Sequence, residues 1–405
     1  MFNNSNIIVG LEVGTYKICA AVGELNADGA LNVIGLGQAR SRGVRKGEIV
    51  DPQQAEEDVR NAIVEAEQMA DVEIRSVYLG VTGAHIRGFN NRGLHPVVSA
   101  DREITGEDVQ DVIKNAKAIN LPAENSVLHA IRQHFFVDGQ DGVNDPVGML
   151  GSRLEVDMHV VHGHTNRIQN AIRLVKGMQL EVDDVVFNGL ASSLALLTSE
   201  QKELGALVID IGAGTTDYVV YADGVIQYTA VLAVGGDHVS NDLAYGLKVP
   251  LSRAEKLKLE LGSALMDDAA KGRSITVTND LGLPLKTVNL EHLHRIMSLR
   301  LEEIFQLVAQ DLEQAGLHDY LRAGVFLCGG GARIPHIAEL AERVLQMPVS
   351  LGKTNSISGL KSALDQPEFV TGIGLVKFGS FKARKRQGKS SFAAEIKGVF
   401  GRFLR

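Results

Sequence analysis

The sequence predicts an α/β fold in which one strand-rich unit is built twice, each copy carrying an inserted subdomain. Three observations carry that expectation. The chain has 405 residues, more than a single hydrophobic core commonly supports. Residues 7–37, "IIVGLEVGTYKICAAVGELNADGALNVIGLG", are echoed by residues 207–236, "LVIDIGAGTTDYVVYADGVIQYTAVLAVGG". Helical periodicity then follows each copy.

Each copy opens with an apolar strand that ends in an acid, Glu12 or Asp210, and falls into a Gly/Thr turn. A second apolar strand follows, then a turn at Asp28-Gly29 or Asp223-Gly224, then a third strand. That is hairpin chemistry for three antiparallel strands, given twice about 200 residues apart. Duplication of a whole unit is a stronger signal than either glycine loop alone.

"PQQAEEDVRNAIVEAEQMA" (52–70) and "RIQNAIRLVKGMQL" (167–180) repeat apolar residues at three and four spacing, as amphipathic helices do. Between them residues 84–165 break the pattern, with a helix at "GEDVQDVIKNAKAI" flanked by strand-like "VLHAIRQHFFVD" and "RLEVDMHVVHG", and predict an α+β insertion. Residues 237–324 predict a mainly helical insertion ending in "LEHLHRIMSLRLEEIFQLVAQDLEQAG". "GVFLCGGGARIPHIAELAERVL" (324–345) closes the second half as strand, glycine turn and helix, and a short helix over 367–379 returns the chain to the first half.

The net charge of −8 is unevenly spread. Residues 377–405 hold nine Lys/Arg and one acid, +8, so the rest carries −16. An acidic body is not expected to bind nucleic acid, whereas the basic end should meet something anionic. The two cysteines, Cys19 and Cys328, sit in apolar runs and read as buried thiols, not a disulfide framework. No signal peptide and no run of about 18 apolar residues is present in the sequence. His159, His162 and His164 lack a cysteine or carboxylate at helpful spacing and read as strand histidines rather than zinc ligands.

Both hairpin turns suit phosphate. Gly14, and Gly212 with Ala213 and Gly214, keep side chains small where successive N–H groups can form an anion-binding nest. Thr15, Thr215 and Thr216 add hydroxyl donors, and Tyr16 and Lys17 complete the first turn. An acid beside a phosphate repels it unless a divalent cation intervenes, so Glu12 and Asp210 are expected to hold Mg²⁺ through waters. Gly235 and Gly236 form a further glycine turn, and Gly329, Gly330, Gly331 and Ala332 form one where an adenine and ribose can lie against backbone. Glu255 and Lys258, three apart on one helix, can reach ribose hydroxyls and adenine edges. "QGKSS" (387–391) only imitates a P-loop, because Ala383 stands where its first glycine must be and no strand precedes it.

The end of the chain has its own chemistry. After the basic "SFKARKRQGKSS", "FAAEIKGVFGRFLR" places Phe392, Ile396, Val399, Phe400, Phe403 and Leu404 on one helical face, flanked by Lys397, Arg402 and Arg405. This pattern predicts an interfacial amphipathic helix at an anionic membrane. Six such side chains at up to ~2 kcal/mol each bring roughly 10 kcal/mol before ordering costs are subtracted. That suits reversible binding by one copy and avid binding by an array.

Two "[DE]-x-G-x-T" hairpins, a "GGD" turn, an "AExxK" helix and a "GGGA" turn resemble the actin/heat-shock-chaperone ATPase superfamily. Within it "GLEVGTYKICAAVGE", "SVYLGVTGAHI", "NDPVGMLGSRLEVDMHVV" and "GLASSLALLT" resemble the bacterial FtsA cell-division family over essentially the whole chain. The resemblance implies duplicated actin-like (ribonuclease H-like) domains with two inserted subdomains and a C-terminal amphipathic helix. The expected division is 1–83 with 166–198 and 365–379 for the first core, and 84–165 for its insertion. Residues 199–236 with 325–364 form the second core and 237–324 its insertion. A linker over 380–391 and a membrane helix over 392–405 complete the chain.

It further implies ATP and Mg²⁺ as ligands, self-assembly through 84–165, recruitment of other division proteins, and an FtsZ C-terminal tail bound by the second insertion near Arg300. Relatives in the wider superfamily orient the attacking water with Glu or Gln where this chain has Asn188. Asn can hydrogen-bond a water but cannot take its proton, so at most slow hydrolysis is expected. A sugar kinase or a pilus-assembly adaptor of the same fold are the rival expectations.

Overall fold

The computed structural model describes residues 6–387 except 27, 267–269, 279–283 and 356. The first unit is a continuous antiparallel meander of β1 (Ile7–Val13), β2 (Lys17–Leu25) and β3 (Leu31–Arg40). A small hairpin, β4 (Val44–Arg45) and β5 (Glu48–Ile49), leads to α1 (Pro52–Ala70). Asp51 caps α1 by accepting from the N–H groups of Gln53 and Gln54, Pro52 follows the cap, and Asp71 in the left-handed region ends it. Its buried stripe of Ala55, Val59, Ala62, Ile63 and Ala66 packs on the sheet. β6 (Ser76–Val81) then runs parallel to β1.

The first insertion follows as β7 (Arg87–Pro96), α2 (Gly106–Lys117), β8 (Asn125–Val137), β9 (Gln140–Val143) and β10 (Arg153–His164). These four strands form one sheet in the order β7-β10-β8-β9, with Phe135, Leu154, Val156 and Met158 buried beneath α2. α3 (Thr165–Gly177) and β11 (Glu181–Phe187) return to the first core, whose six-stranded sheet reads β11-β6-β1-β2-β3-β19, the last being the short strand Ser358–Gly359 from near the end of the chain. α4 (Asn188–Leu196) is buried all round, its apolar and small residues accompanied by three buried polar ones, Asn188, Ser192 and Ser193. A short α5 (Ser199–Leu204) precedes the second unit.

β12 (Ala206–Ile211), β13 (Thr216–Ala222) and β14 (Val225–Leu232) repeat the meander. The second insertion holds α6 (Gly236–Leu247), α7 (Leu251–Leu261), β15 (Ser274–Thr278), β16 (Pro284–Asn289) and α8 (Leu290–Gln314). The hairpin β15–β16 adds a strand pair to a segment whose sequence reads as mainly helical. β17 (Val325–Cys328), α9 (Ile337–Leu345), β18 (Val349–Leu351), β19 (Ser358–Gly359) and α10 (Lys361–Leu364) follow. The second sheet reads β14-β13-β12-β17-β18, and β12 lies antiparallel to β13 and parallel to β17. The first core has the same pattern in β3-β2-β1-β6-β11, so the echo in sequence is an echo in topology.

The last helix, α11 (Val370–Gln387), corrects the sequence reading. The helix expected to stop at 379 continues through 380–387, eight of the twelve residues of the segment read as a linker without core residues. Nothing between Gly379 and Gly388 breaks a helix, and Lys, Arg, Ala and Gln favour one. Ser380 is buried, and Phe381 and Ala383 pack on the first core. Lys382 pairs with Asp184 at 2.8 Å, and Arg384 donates to the carbonyl of Gly29. The amphipathic residues 392–405 lie outside the described residues.

Candidate functional site

The two Gly/Thr hairpins meet at the junction of the cores. In the first, the Gly14 N–H donates to the Lys17 carbonyl at 3.1 Å; in the second, Gly212 donates to Thr215 at 2.9 Å. The turns therefore have matching geometry, each closed by a bond from its first glycine to the carbonyl three residues on. They also touch: a Cβ on Gly214 would lie 2.5 Å from Thr15 Oγ1 and 2.7 Å from Lys46 Cα. Only a residue without a side chain lets the second turn sit against the first. Thr15 Oγ1 accepts from the Gly47 N–H at 2.9 Å, which leaves its own proton to donate. Tyr16 is exposed on the outside of its turn.

The acids lie at the heart of this junction. Lys17 Nζ is 2.9 Å from Glu12 Oε2. Burial opposes the charge on Lys17 most strongly of any single cause, but Glu12, with Cys19 and Asp210 in the same direction, together hold the ammonium above its ordinary range. Burial, and next in the same direction Asp210, raise the carboxyl of Glu12 against the pull of Lys17. Asp210 Oδ2 accepts from Ser192 Oγ and Thr371 Oγ1, each at 2.6 Å. Across the strand pair from Asp210 stands Asp217, buried and bonded to the hydroxyls of Thr82 and Thr215. Burial first, then the Asp210 carboxylate, push its carboxyl up to about 8.

Three carboxyls and one ammonium thus share a water-poor site, and the excess negative charge is what a hard divalent cation offsets. Among the described residues no three His, Cys, Asp or Glu side chains converge as a direct metal-binding group, so an Mg²⁺ here would be held chiefly through waters, with Glu12 and Asp210 the residues that would hold them. The glycine turns around it fit a phosphate chain. Gly236 N–H donates to Gly212 O at 3.0 Å, and Asp237 N–H to Ala213 O at 2.8 Å, so the Gly235-Gly236 turn docks on the second hairpin. Thr216 secures it by donating to Val234 O at 2.8 Å, so this hydroxyl, read from sequence as a phosphate donor, is spent within the chain. Thr215 is likewise committed to Asp217.

Glu255 and Lys258 are not a solvated ion pair. They lie 2.7 Å apart on α7, and Lys258 donates to the Gly236 carbonyl at 3.1 Å while Ser240 donates to Glu255. The pair is therefore part of the Gly235-Gly236 turn. The fourth turn comes from β17, whose Cys328 is in register with Asp210. Gly329 has φ +82°, and a Cβ there would lie 2.3 Å from Asp210 Oδ1. Gly331 and Ala332 continue the turn against Ile211, and Gly330 faces open space.

Asn188 opens α4. Its Oδ1 is buried without a hydrogen-bond partner and faces Gly80 at the end of β6, so it offers a lone acceptor to a water. Beside it, Gly80, Val81 and Thr82 line a cavity of about 70 Å³ with Val13, Glu48, His85 and Arg167. Arg300 lies elsewhere, on α8, paired with Asp242 at 2.5 Å and with Glu303. His159 is fully buried between the first insertion and the second core, while Cys19 and Cys328 are buried free thiols. Sequence reading missed Asp217, Ser192, Thr371 and Thr82. Only Asp217 leaves a local signal, an acid inside the apolar run "TTDYVVY".

Comparison with known proteins places this geometry. A family model described as "Cell division protein FtsA" matches residues 207–374, and one described as "SHS2 domain inserted in FTSA" matches residues 83–162. A cell division protein FtsA from Pseudomonas aeruginosa is 39% identical over 376 residues, covering 93% of this chain and 90% of that protein. The chain belongs to the FtsA family. FtsA members are cell-division proteins, and this chain shares that role. Its actin-like fold extends to more distant solved structures. The PilM-PilN type IV pilus biogenesis complex matches at TM-score 0.64 and 15% identity, covering 92% of this chain and 98% of that one. MreB5 of Spiroplasma citri bound to ADP matches at 0.58 and 16%, covering 95% and 99%. Against the FtsA pattern, the four-stranded insertion is the part that matches the SHS2 model, and no described helix is long and apolar enough to cross a membrane.

Proposed function

We propose that this FtsA-family chain is an actin-like adaptor that binds Mg²⁺-ATP, assembles with itself through the first insertion, and tethers FtsZ filaments to the inner membrane face at the division site. The reading rests on two features of one chain: a two-hairpin acidic cleft in the folded body and an amphipathic sequence over 392–405. The MreB5 structures bound to ADP and AMPPNP support a nucleotide in such a cleft.

Mg²⁺-ATP, when bound, would supply a polyanion with its charge-balancing cation. The chain does the rest. The N–H groups of Gly14 and Gly212 close the two turns, so the remaining N–H groups of these turns would be the ones to meet the phosphates, and Thr15 would donate its free proton. Lys17 counters Glu12 and neutralises part of the incoming charge. Glu255 and Lys258 shape the Gly235-Gly236 turn toward the nucleoside, and Gly329–Ala332 give its base a flat backbone bed. Asn188 orients a water and takes no proton, so turnover is slow and the nucleotide acts as a conformational ligand. The FtsZ tail docks on the second insertion, where Arg300 contributes a cation once freed from Asp242, and other division proteins join the assembled array.

Liposome flotation tests the tether. The structure sets the cut: a chain ending at Gln387 keeps α11 whole, whereas one ending at Gly379 removes packed residues. Full-length protein should float with vesicles containing anionic lipid and the shortened chain should not. Equal flotation by both rules out the tail as anchor. Rapid phosphorylation of a small sugar would instead favour the kinase alternative.

A further inference from the structure

We infer that Ser192 and Thr371 are positioning residues that aim the Asp210 carboxylate, and that they do so from the opposite half of the molecule. The inference rests on the reading of Asp210 as the acid that faces Mg²⁺-ATP.

A carboxylate turns easily about its last torsion, which is broad and roughly two-fold. Free in a cleft, Asp210 would sample many orientations. Here its Oδ2 accepts two short hydroxyl bonds at 2.6 Å, of the charge-assisted kind that is stronger than neutral pairs. Each hydroxyl has one proton, and both are given to Asp210, so the 3.0 Å contact between Ser192 and Thr371 adds no further bond. Both donors are buried, and no solvent competes for them. With Oδ2 anchored, Oδ1 is fixed beside Gly329, where only glycine leaves it room.

The origin of the anchors gives them their function. Asp210 lies on β12 of the second core. Ser192 sits one turn beyond Asn188 on α4, and Thr371 is the second residue of α11, which packs on α4 and β1 of the first core. α4 also packs on β12 and β13, so a rotation that carries α4 and α11 with the first core stretches both bonds together. Asp210 is therefore aimed only when the cores are closed, so closure and metal-dependent nucleotide binding are linked.

The test is the Mg²⁺ dependence of binding by a fluorescent ATP analogue to the full-length chain, measured with Mg²⁺ and with EDTA. T371V keeps the shape and removes the donor; S192A removes the other; T371S restores it. We expect T371V and S192A each to reduce the Mg²⁺-dependent gain in affinity on the order of tenfold, as loss of one charged hydrogen bond does, with affinity in EDTA within about twofold of wild type. T371S should recover the gain. Mn²⁺ electron paramagnetic resonance gives a second readout, with a broadened bound-metal signal in T371V and a native one in T371S.

D210N separates the two levels of the argument. Loss of the Mg²⁺ gain in D210N, with full gain in T371V and S192A, overturns the positioning role and leaves the site standing. Full gain in D210N overturns both. Thermal unfolding followed by circular dichroism checks each variant, and if T371V does not fold, S192A against T371S carries the comparison with the same two outcomes.

Discussion

Acid should loosen the contact between the first insertion and the second core, and His159 sets the amount. His159 is fully buried on β10. Its Nδ1 lies 2.7 Å from Asn90 Oδ1, and its Nε2 lies 2.9 Å from Thr229 Oγ1 on β14. Asn90 Nδ2 donates to Gln227 O, which fixes the amide so that Oδ1 faces the ring. The ring therefore donates through Nδ1 and accepts at Nε2, a neutral tautomer with both nitrogens satisfied. Burial, reinforced by His129, lowers its pKa to about 3. The unfolded chain, with a histidine pKa of about 6.5, binds the proton first. The contribution to stability is complete above that pH and is lost as pH falls toward 3. Between pH 7 and pH 5 the loss from this one group is about 2 kcal/mol. His85 and His129 are also lowered, each to about 4, so the whole-protein slope is steeper. A His159→Gln variant keeps a donor and an acceptor but does not titrate, and isolates the term. Urea unfolding at pH 7 and pH 5 should be followed by far-UV circular dichroism, since the chain has no Trp. The variant should lose about 2 kcal/mol less than wild type over that interval. Parallel losses in the two proteins would refute the reasoning.

Three other substitutions test the cleft. Gly214→Ala drives a Cβ into the Lys46 backbone at 2.7 Å, which cannot yield as a flexible side chain can; the hairpins should part at a cost of about 1–3 kcal/mol, read as roughly a tenfold or greater loss of ATP affinity by fluorescence titration. Gly329→Ala combines φ +82° with a Cβ 2.3 Å from Asp210 Oδ1, and calorimetry should show a lowered melting temperature from about 1–3 kcal/mol of strain. Lys258→Met removes the cation that holds Glu255 and the Gly236 carbonyl, so nucleotide affinity in isothermal titration should fall while Lys256→Met, an exposed neighbour on α7 at 3.7 Å from Glu260, leaves it unchanged.

The parts of the fold that are legible in the sequence are those with a local rule. Strand alternation, Asp-Gly turns and the Asp51-Pro52 helix start each follow from a few neighbouring residues, and the duplicated meander is visible because two such rules repeat in the same order. The glycines of the turns are legible for the same reason. The end of α11 was not, because its extension depends on Phe381 and Ala383 reaching the first core and Lys382 reaching Asp184, partners about 200 residues away or more.

The hidden part of the site follows from the duplication being imperfect. In register across the hairpins, Asp210 faces Asp217, but Glu12 faces Cys19. Lys17 of the first turn corresponds to Thr215 of the second, counting from each acid. One copy thus neutralises its acid with an ammonium inside its own hairpin. The other has no cation there and adds a second acid, whose neutral form is favoured by burial and by Asp210. Beyond the Thr215 hydroxyl within the hairpin, the second copy satisfies its carboxylates with first-core hydroxyls: Thr82 for Asp217, Ser192 and Thr371 for Asp210. Symmetry alone predicts two equivalent phosphate turns. The broken symmetry makes one half self-contained and the other dependent on closure, which is the arrangement a nucleotide needs if its binding is to draw the two halves together.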